Sequence, residues 1–219
     1  MPTAGGARAA TPTKNCPLCP RLADFRAQNR VTFPDWFNAP LMGFGPRDAA
    51  LAIVGLAPGL RGANRTGRPF TGDFCGKLLY ETLLTFGFAT GTYSEDADDD
   101  FALHNCRIIN AVRCVPPQNR PLPAEIATCN PFLAAERAAM TQVRAILALG
   151  GIAHQAVLRA YGLRQSFAKF GHGRTVILPD GVILTDSFHV SRYNTSTRRL
   201  TGAMFEAIIA AQAERLARF

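Results

Sequence analysis

Short apolar runs alternate with helical patterns along most of the chain, and this alternation restricts the fold more than any other feature. The first run, Leu51 to Leu56, is rich in branched residues and precedes Ala57-Pro58-Gly59, which is typical of a buried strand that ends in a turn. Further apolar runs lie at residues 107–112, 145–149, 175–178 and 182–185, and helical patterns lie at residues 76–86, 124–143, 152–161 and 201–218. Strands that alternate with helices predict an α/β fold with a mostly parallel sheet covered by helices on both faces.

The last two apolar runs flank Asp180-Gly181, a pair that favours a tight turn. We therefore expect a hairpin there, with one strand at an edge of the sheet. A short helix is expected within residues 15–30. Residues 33–46 contain too many Pro, Gly and aromatic residues for a regular element, and we interpret them as a structured loop.

The length of 219 residues suits one domain with its own core. We assign residues 15–219 to that domain and residues 1–14, which are rich in Ala, Gly, Thr and Pro, to a flexible tail. The tail lacks the apolar core of a secretory signal, and no apolar stretch approaches the roughly 20 residues of a membrane span. The expectation is a cytoplasmic, monomeric protein with no membrane association.

The chain is basic, with 24 Lys and Arg against 16 Asp and Glu and a net charge of +8, which favours an acidic partner such as nucleic acid. Arginines cluster at two places, at positions 61, 65 and 68 and at positions 192, 198 and 199. We predict that they contact phosphates and that Asn64, Ser191 and Thr195 donate hydrogen bonds to the DNA backbone. The acidic run Ser94 to Asp100 is interpreted as a solvated loop.

Polar, Gly-rich segments follow the first and last predicted strands, at residues 55–73 and 186–199, and Asn110 lies near the end of another strand. In open α/β sheets, ligands bind beyond the carboxyl ends of the strands. The sequence therefore predicts one pocket to which these segments contribute together.

Four of the six cysteines have a spacing suited to a metal centre. Cys16 and Cys19 are separated by two residues, and Cys114 and Cys129 by fourteen residues that include four prolines. Four thiolates suit either tetrahedral zinc or an iron–sulfur cluster, and the spacing leaves both open. The remaining two, Cys75 and Cys106, lack this context and are interpreted as core residues.

The ordered motifs CPLC, GLAPG, GRPFTGD, NAVRC with its partner cysteine, and FHVSRYN resemble the iron–sulfur uracil-DNA glycosylases of family 5 (type B). The resemblance extends from about residue 15 to residue 199. It implies a three-layer α/β/α sandwich that excises uracil, and other deaminated bases such as hypoxanthine, from DNA in base excision repair. It also implies that a structural [4Fe-4S] cluster is held by Cys16, Cys19, Cys114 and Cys129.

Three residues suit the recognition of a flipped base. Phe70 is expected to stack on the base, although a plain core role is the alternative. The Asn110 amide matches uracil N3–H and O4 and not cytosine, unless it merely caps its strand. A hydrogen bond from His189 to uracil O2 is expected where negative charge collects as the bond breaks, and a structural histidine is the alternative.

The first motif departs from related branches, which carry an acidic or amide side chain there to handle the attacking water. This chain has Leu56-Ala57-Pro58 instead. The resemblance transfers part of that task to Asp73, which also suits the N-cap of the next helix. Gly55 and Ala57 are expected to line the base pocket.

Three other hypotheses concern nucleic acid and nucleotides. Arg192, Tyr193 and Asn194 are interpreted as the tip of a wedge that fills the space left by the flipped nucleotide. A non-catalytic, zinc-stabilised nucleic-acid-binding module is the alternative function. A nucleotide-binding enzyme is a third, weaker reading that rests only on Gly150-Gly151 before a helix.

Overall fold

The computed structural model describes residues 11–218, and a five-stranded sheet lies at its centre. The strands are β1 (Leu51–Gly55), β4 (Cys106–Asn110), β5 (Ala145–Leu149), β6 (Thr175–Ile177) and β7 (Ile183–Ser187), and a separate two-stranded sheet consists of β2 (Ala89–Thr90) and β3 (Ala102–Leu103). The order in the large sheet is β4-β1-β5-β7-β6. Its first four strands are parallel, and β6 pairs antiparallel with β7 at one edge, which confirms the predicted sheet and hairpin.

Helices cover both faces of the sheet. They are α1 (Pro20–Thr32), α2 (Ala63–Thr66), α3 (Phe74–Thr85), α4 (Pro123–Ala139), α5 (Gly151–Ala160), α6 (Arg192–Ser196) and α7 (Gly202–Leu216). α3 and α7 pack together on one face, and α4 and α5 pack together on the other. The predicted three-layer α/β/α architecture is confirmed. No helix within residues 11–218 is long and apolar enough to cross a membrane.

Successive side chains of the central strands point to opposite faces of the sheet and so form two hydrophobic cores. Ile53 and Leu147 point into the core under α3 and α7, whereas Val54 and Ile146 point into the core under α4 and α5. Every residue of β1, β4 and β5 is buried, as expected for parallel strands covered on both faces. Burying each Leu, Ile or Val side chain of these strands stabilises the fold by about 1.5–3 kcal/mol.

The register of the parallel strands brings the predicted motifs together at the carboxyl ends of the strands. Gly55 at the end of β1 pairs with Asn110 at the end of β4, and Leu149 pairs with Ser187 at the end of β7. The segments that follow these strands therefore leave the sheet side by side. The site lies at these carboxyl ends.

The N-terminal region differs in part from the expectation. Of the predicted tail, residues 1–10 lie outside the described residues, but the carbonyl of Lys14 accepts a hydrogen bond of 2.9 Å from Arg30 Nη2. The segment at residues 33–46 is irregular, as predicted. It is anchored where Phe44 exchanges two backbone hydrogen bonds with Ile108 on the outer edge of β4.

Candidate active site

A cavity of about 310 Å³ opens at the carboxyl ends of β1, β4 and β7. Six residues predicted for the pocket or for DNA contact line it: Ala57, Phe70, Asp73, Asn110, His189 and Ser191. They come from four separate segments of the chain, and the parallel sheet brings them together. The lining is more apolar than polar, which suits a planar base with a few polar edges.

Asn110 occupies the floor of the cavity as the last residue of β4. It is only 3% exposed, yet its side-chain Oδ1 has no hydrogen-bond partner within residues 11–218. An unsatisfied buried acceptor costs about 1–3 kcal/mol. A ligand N–H donor would remove that cost, so Oδ1 is a recognition point.

Gly55 provides the space in which Asn110 and Phe70 approach each other. A Cβ at Gly55 would lie 2.7 Å from Asn110 Oδ1 and 2.8 Å from Phe70 Cζ. Any larger residue would push one of the two away. Gly55 therefore shapes the pocket without lining it.

Phe70 has a left-handed backbone with φ of +53°, which is unusual for an aromatic residue. Its ring is buried, and its centroid lies 6.0 Å from that of His189, with the two planes inclined by 32°. A backbone conformation of this kind costs about 1–3 kcal/mol and persists only where the surroundings impose it. The two rings form part of the wall around the recognition atom of Asn110.

His189 follows β7. Asn194 fixes its backbone, because Asn194 Nδ2 donates a 2.8 Å hydrogen bond to the carbonyl of His189. Burial lowers the pKa of its imidazole to about 4. The ring is therefore neutral at neutral pH and carries one N–H. It is suited to donate a hydrogen bond to a developing anion without first losing a proton.

Asp73 combines two roles through its two oxygens. Oδ1 accepts a 3.0 Å hydrogen bond from the backbone N–H of Cys75 and caps α3. Oδ2 lies against the turn after β1, close to Gly59 and Gly62. Burial raises the pKa of the carboxyl, although the hydrogen bond from Cys75 opposes this shift. A carboxylate of raised proton affinity in a cavity is suited to orient water.

Five lining residues were not among the predicted site residues: Leu56, Gly59, Ala63, Cys75 and Asn119. Asn119 reaches the cavity from the proline-rich loop between the last two cysteines, and its Oδ1 accepts a 3.2 Å hydrogen bond from Leu60 N. Cys75, predicted as a core residue, is only partly buried and also lines the cavity. Burial raises the pKa of its thiol to about 12. No spacing signal connects Asn119 to the pocket motifs, whereas Cys75 lies only two residues after Asp73 and could have been found by that proximity.

Ser191 lines the cavity, whereas other predicted DNA contacts lie in α2 (Arg65) and in α6 (Arg192, Tyr193 and Asn194). Arg65 is exposed, and Tyr193 is 70% exposed at the start of α6. Ser191 caps α6 by accepting from Asn194 N, so the predicted wedge is a short helix and not a loop. The guanidinium of Arg192 lies over the ring of Phe74, with Cζ 5.2 Å from the ring centroid.

Two of the predicted DNA contacts have buried side chains that are already engaged within the protein. Asn64 is 1% exposed, and its Nδ2 donates a 2.9 Å hydrogen bond to Asn38 Oδ1. Arg68 is 6% exposed and forms a bidentate ion pair with Asp99. The acidic run is therefore not simply a solvated loop, since it supplies the carboxylate that neutralises Arg68 inside the protein.

Comparison with known proteins identifies the family. The sequence model of the uracil DNA glycosylase superfamily matches residues 42–212. The chain belongs to the uracil DNA glycosylase superfamily.

Its relatives place it in the type-5 branch of that superfamily. It is 43% identical to a type-5 uracil-DNA glycosylase of Thermus thermophilus, over 92% of this chain and 94% of the relative. Identity to the type-5 uracil-DNA glycosylase of Mycobacterium leprae is 44%, over 88% of each chain. A type-5 relative from Pyrobaculum aerophilum is 38% identical, over 85% of this chain and 83% of its own.

The four predicted ligand cysteines of this superfamily member line one small cavity beside α1 and α4. Leu22, Val112 and Phe132 pack around them, so the surroundings are apolar. Two N–H groups point at sulfur, since Arg26 Nη1 lies 3.2 Å from Cys114 Sγ and Arg113 N lies 3.3 Å from Cys129 Sγ. Such donors stabilise thiolates that bind a metal.

Two thiols of this centre, those of Cys114 and Cys129, resist ionisation unless a metal binds. Burial raises the pKa of Cys114 to about 12, and burial raises the pKa of Cys129 as well. Within residues 11–218, no group of three or more His, Cys, Asp or Glu side chains is arranged to hold a single metal ion.

Proposed function

We propose that the protein is a DNA glycosylase that hydrolyses the N-glycosidic bond of uracil, and of other deaminated bases such as hypoxanthine, in base excision repair. One observation carries the proposal. The unsatisfied, buried Oδ1 of Asn110 lies at the floor of a cavity whose walls are Phe70 and a neutral His189. A uracil in this cavity supplies the missing N3–H donor.

Base selection follows from the two ends of the Asn110 amide. Oδ1 accepts from uracil N3–H, and Nδ2 donates to O4. Cytosine presents an acceptor at N3 and a donor at N4, so both polar pairs would clash or remain unpaired. Hypoxanthine carries an N1–H beside O6 and so offers the same donor and acceptor pattern as uracil. The amide therefore favours deaminated bases over their parents.

Bond cleavage places positive charge on the sugar and negative charge on the departing base. The neutral His189 donates its N–H to uracil O2, where the negative charge collects. Asp73 Oδ2 orients a water toward C1′ and accepts the proton that this water loses as its oxygen bonds to the sugar. The electron pair of the C1′–N1 bond leaves with the base. The Asp73 carboxylate also stabilises the cationic sugar by its charge.

A [4Fe-4S] cluster fits the cysteine centre better than a single zinc ion. The four thiols, the apolar wall and the N–H donors from Arg26 and Arg113 suit iron–sulfur ligation. When bound, the group supplies a rigid cross-link and no step of the hydrolysis. Cys16 and Cys19 then tie the N-terminal segment to Cys114, which follows β4 and its terminal Asn110, and to Cys129 in α4.

The deciding experiment incubates the pure protein with end-labelled duplexes that contain a single uracil, a single hypoxanthine or no lesion, followed by alkali. We expect cleavage only at the lesions. Asp73→Asn and His189→Ala should each reduce the rate by about 10²-fold or more while duplex binding persists. Binding to all three duplexes without any cleavage would overturn the proposal in favour of a non-catalytic nucleic-acid-binding module.

A further inference from the structure

The guanidinium of Arg68 is enclosed by aromatic rings on the side of the Gly-rich segment away from the cavity. Its Cζ lies 5.5 to 5.8 Å from the ring centroids of Phe44, Tyr80, Tyr93 and Phe101. Asp99 neutralises the charge with two hydrogen bonds of 2.6 and 2.8 Å. We call these six residues the Arg68 cage.

The cage holds a stretch of backbone that has no regular structure. Arg68 Nε donates a 2.8 Å hydrogen bond to Thr71 Oγ1, and Tyr80 donates its hydroxyl to the carbonyl of Pro69. The hydroxyl of Tyr93 donates a 3.1 Å hydrogen bond to the carbonyl of Phe70. The residues on both sides of Phe70 are therefore fixed by side chains that do not line the cavity.

Phe70 depends on this support because its left-handed φ of +53° is unfavourable for an aromatic residue. Its carbonyl points at the first turn of α3, where a Cβ on Gly76 would overlap both the Phe70 oxygen and the Tyr93 hydroxyl. Because Gly76 has no side chain, the Phe70 carbonyl and the Tyr93 hydroxyl can form their hydrogen bond beside it. Burial raises the pKa of Tyr93 to about 12, so the hydroxyl remains a donor at neutral pH.

We propose that Tyr93, held by the Arg68 cage, is a positioning residue that sets the Phe70 ring against the flipped base. This inference rests on the proposed function, since it concerns the same pocket. Tyr93 acts through the Phe70 carbonyl and does not contact the base. Asp99, in the acidic segment, therefore affects the shape of the pocket indirectly, through Arg68 and Tyr93.

The test replaces Tyr93 with Phe, which removes one oxygen and keeps the ring in the cage. Tyr161→Phe is the matched control, because Tyr161 also packs under a guanidinium, that of Arg137 at 4.2 Å, but in the core on the opposite face of the sheet. We expect Tyr93→Phe to reduce the single-turnover excision rate at saturating enzyme by about 10-fold. Affinity for undamaged duplex should not change, and Tyr161→Phe should retain the wild-type rate.

A double-mutant cycle separates positioning from general destabilisation. In a Phe70→Ala background the ring is absent, so Tyr93→Phe should cause no further loss of rate. An equal loss in both backgrounds would overturn the proposal, as would an unchanged rate in the single variant. Both single variants are assayed well below their melting temperatures, so that folded proteins are compared.

Hydrogen exchange tests the positioning without reference to catalysis. We expect faster amide exchange in residues 68–72 of Tyr93→Phe and no change there in Tyr161→Phe. Unchanged exchange would contradict the inference even in an active enzyme. An inactive wild type with faster exchange in the variant would instead reject the proposed function and leave the positioning contact supported.

Discussion

Gly59 leaves open the space into which the carboxylate of Asp73 projects: a Cβ at Gly59 would lie 2.7 Å from Asp73 Oδ2. Gly62 stands even closer to the same oxygen, and a Cβ there would overlap it. The turn after β1 contributes no acidic or amide side chain of its own. Instead, its glycine backbone packs against the Asp73 carboxylate and thereby limits the positions that Asp73 Oδ2 can occupy.

Replacing Gly62 with Ala should therefore displace Asp73 Oδ2 while the N-cap oxygen Oδ1 stays in place. We expect the excision rate to fall by about 10²-fold, because a shift of about 1 Å in a catalytic group has that effect. Single-turnover kinetics measure it. Gly202→Ala is the control, since a Cβ there would make only an ordinary van der Waals contact, 3.9 Å from Glu206 Oε1 in α7, and should leave the rate unchanged.

Asn110→Ala should separate function from stability. The variant loses the recognition amide, so excision of uracil should fall by about 10²-fold or more. The free energy of unfolding should change by less than about 1 kcal/mol, because the wild type already carries an unsatisfied buried acceptor at this position. Urea unfolding and single-turnover assays measure the two effects.

Asn130→Ala provides the matched comparison. Asn130 is also buried, but its Nδ2 donates a 2.8 Å hydrogen bond to the carbonyl of Ala156 in α5. We expect this variant to lose stability and to retain the excision rate. A large loss of stability in Asn110→Ala would show that its amide is structural.

The sequence predicts the sheet well and the side-chain environments less well. Apolar runs identify the central strands, since strands buried on both faces are continuous apolar segments. Asn110 and His189 reach one cavity because register at the strand ends is fixed by the sheet. By contrast, Arg68 and Asp99 lie 31 residues apart, and no local pattern shows that their charges cancel inside the protein. Asn119 likewise reaches the cavity only through tertiary folding of a proline-rich loop.

The partly buried imidazole of His189 should make stability depend on pH. Its pKa is about 4 in the folded protein against an ordinary value of 6.5. Between these pH values, His189 is protonated in the unfolded chain and neutral in the folded protein. This contribution is present above pH 6.5 and is lost as the pH falls toward 4, by up to about 3 kcal/mol. The difference in unfolding free energy between wild type and His189→Gln should follow that course. A difference that is constant with pH would contradict the burial of this group.

The cysteine centre should contain iron. We expect the purified protein to be brown, with about four irons per chain, as a cubane cluster requires. Cys114→Ser should lose the iron and the colour, and its melting temperature should fall. Cys106→Ala is the control, since Cys106 lies buried in β4 outside the quartet, and it should retain the iron. A colourless wild-type protein with one zinc per chain would contradict this assignment.

Tyr193 should matter only where a base must leave a duplex. Its ring is 70% exposed at the start of α6, four residues beyond His189, so it is placed beside the cavity and not in it. An aromatic side chain that fills the gap left by a flipped nucleotide offsets the lost stacking, which amounts to a few kcal/mol in a duplex and much less in a single strand. Tyr193→Ala should therefore slow uracil excision from paired DNA by about 10-fold more than from single-stranded DNA. Equal losses on the two substrates would instead assign Tyr193 to general backbone binding, because that role does not depend on pairing.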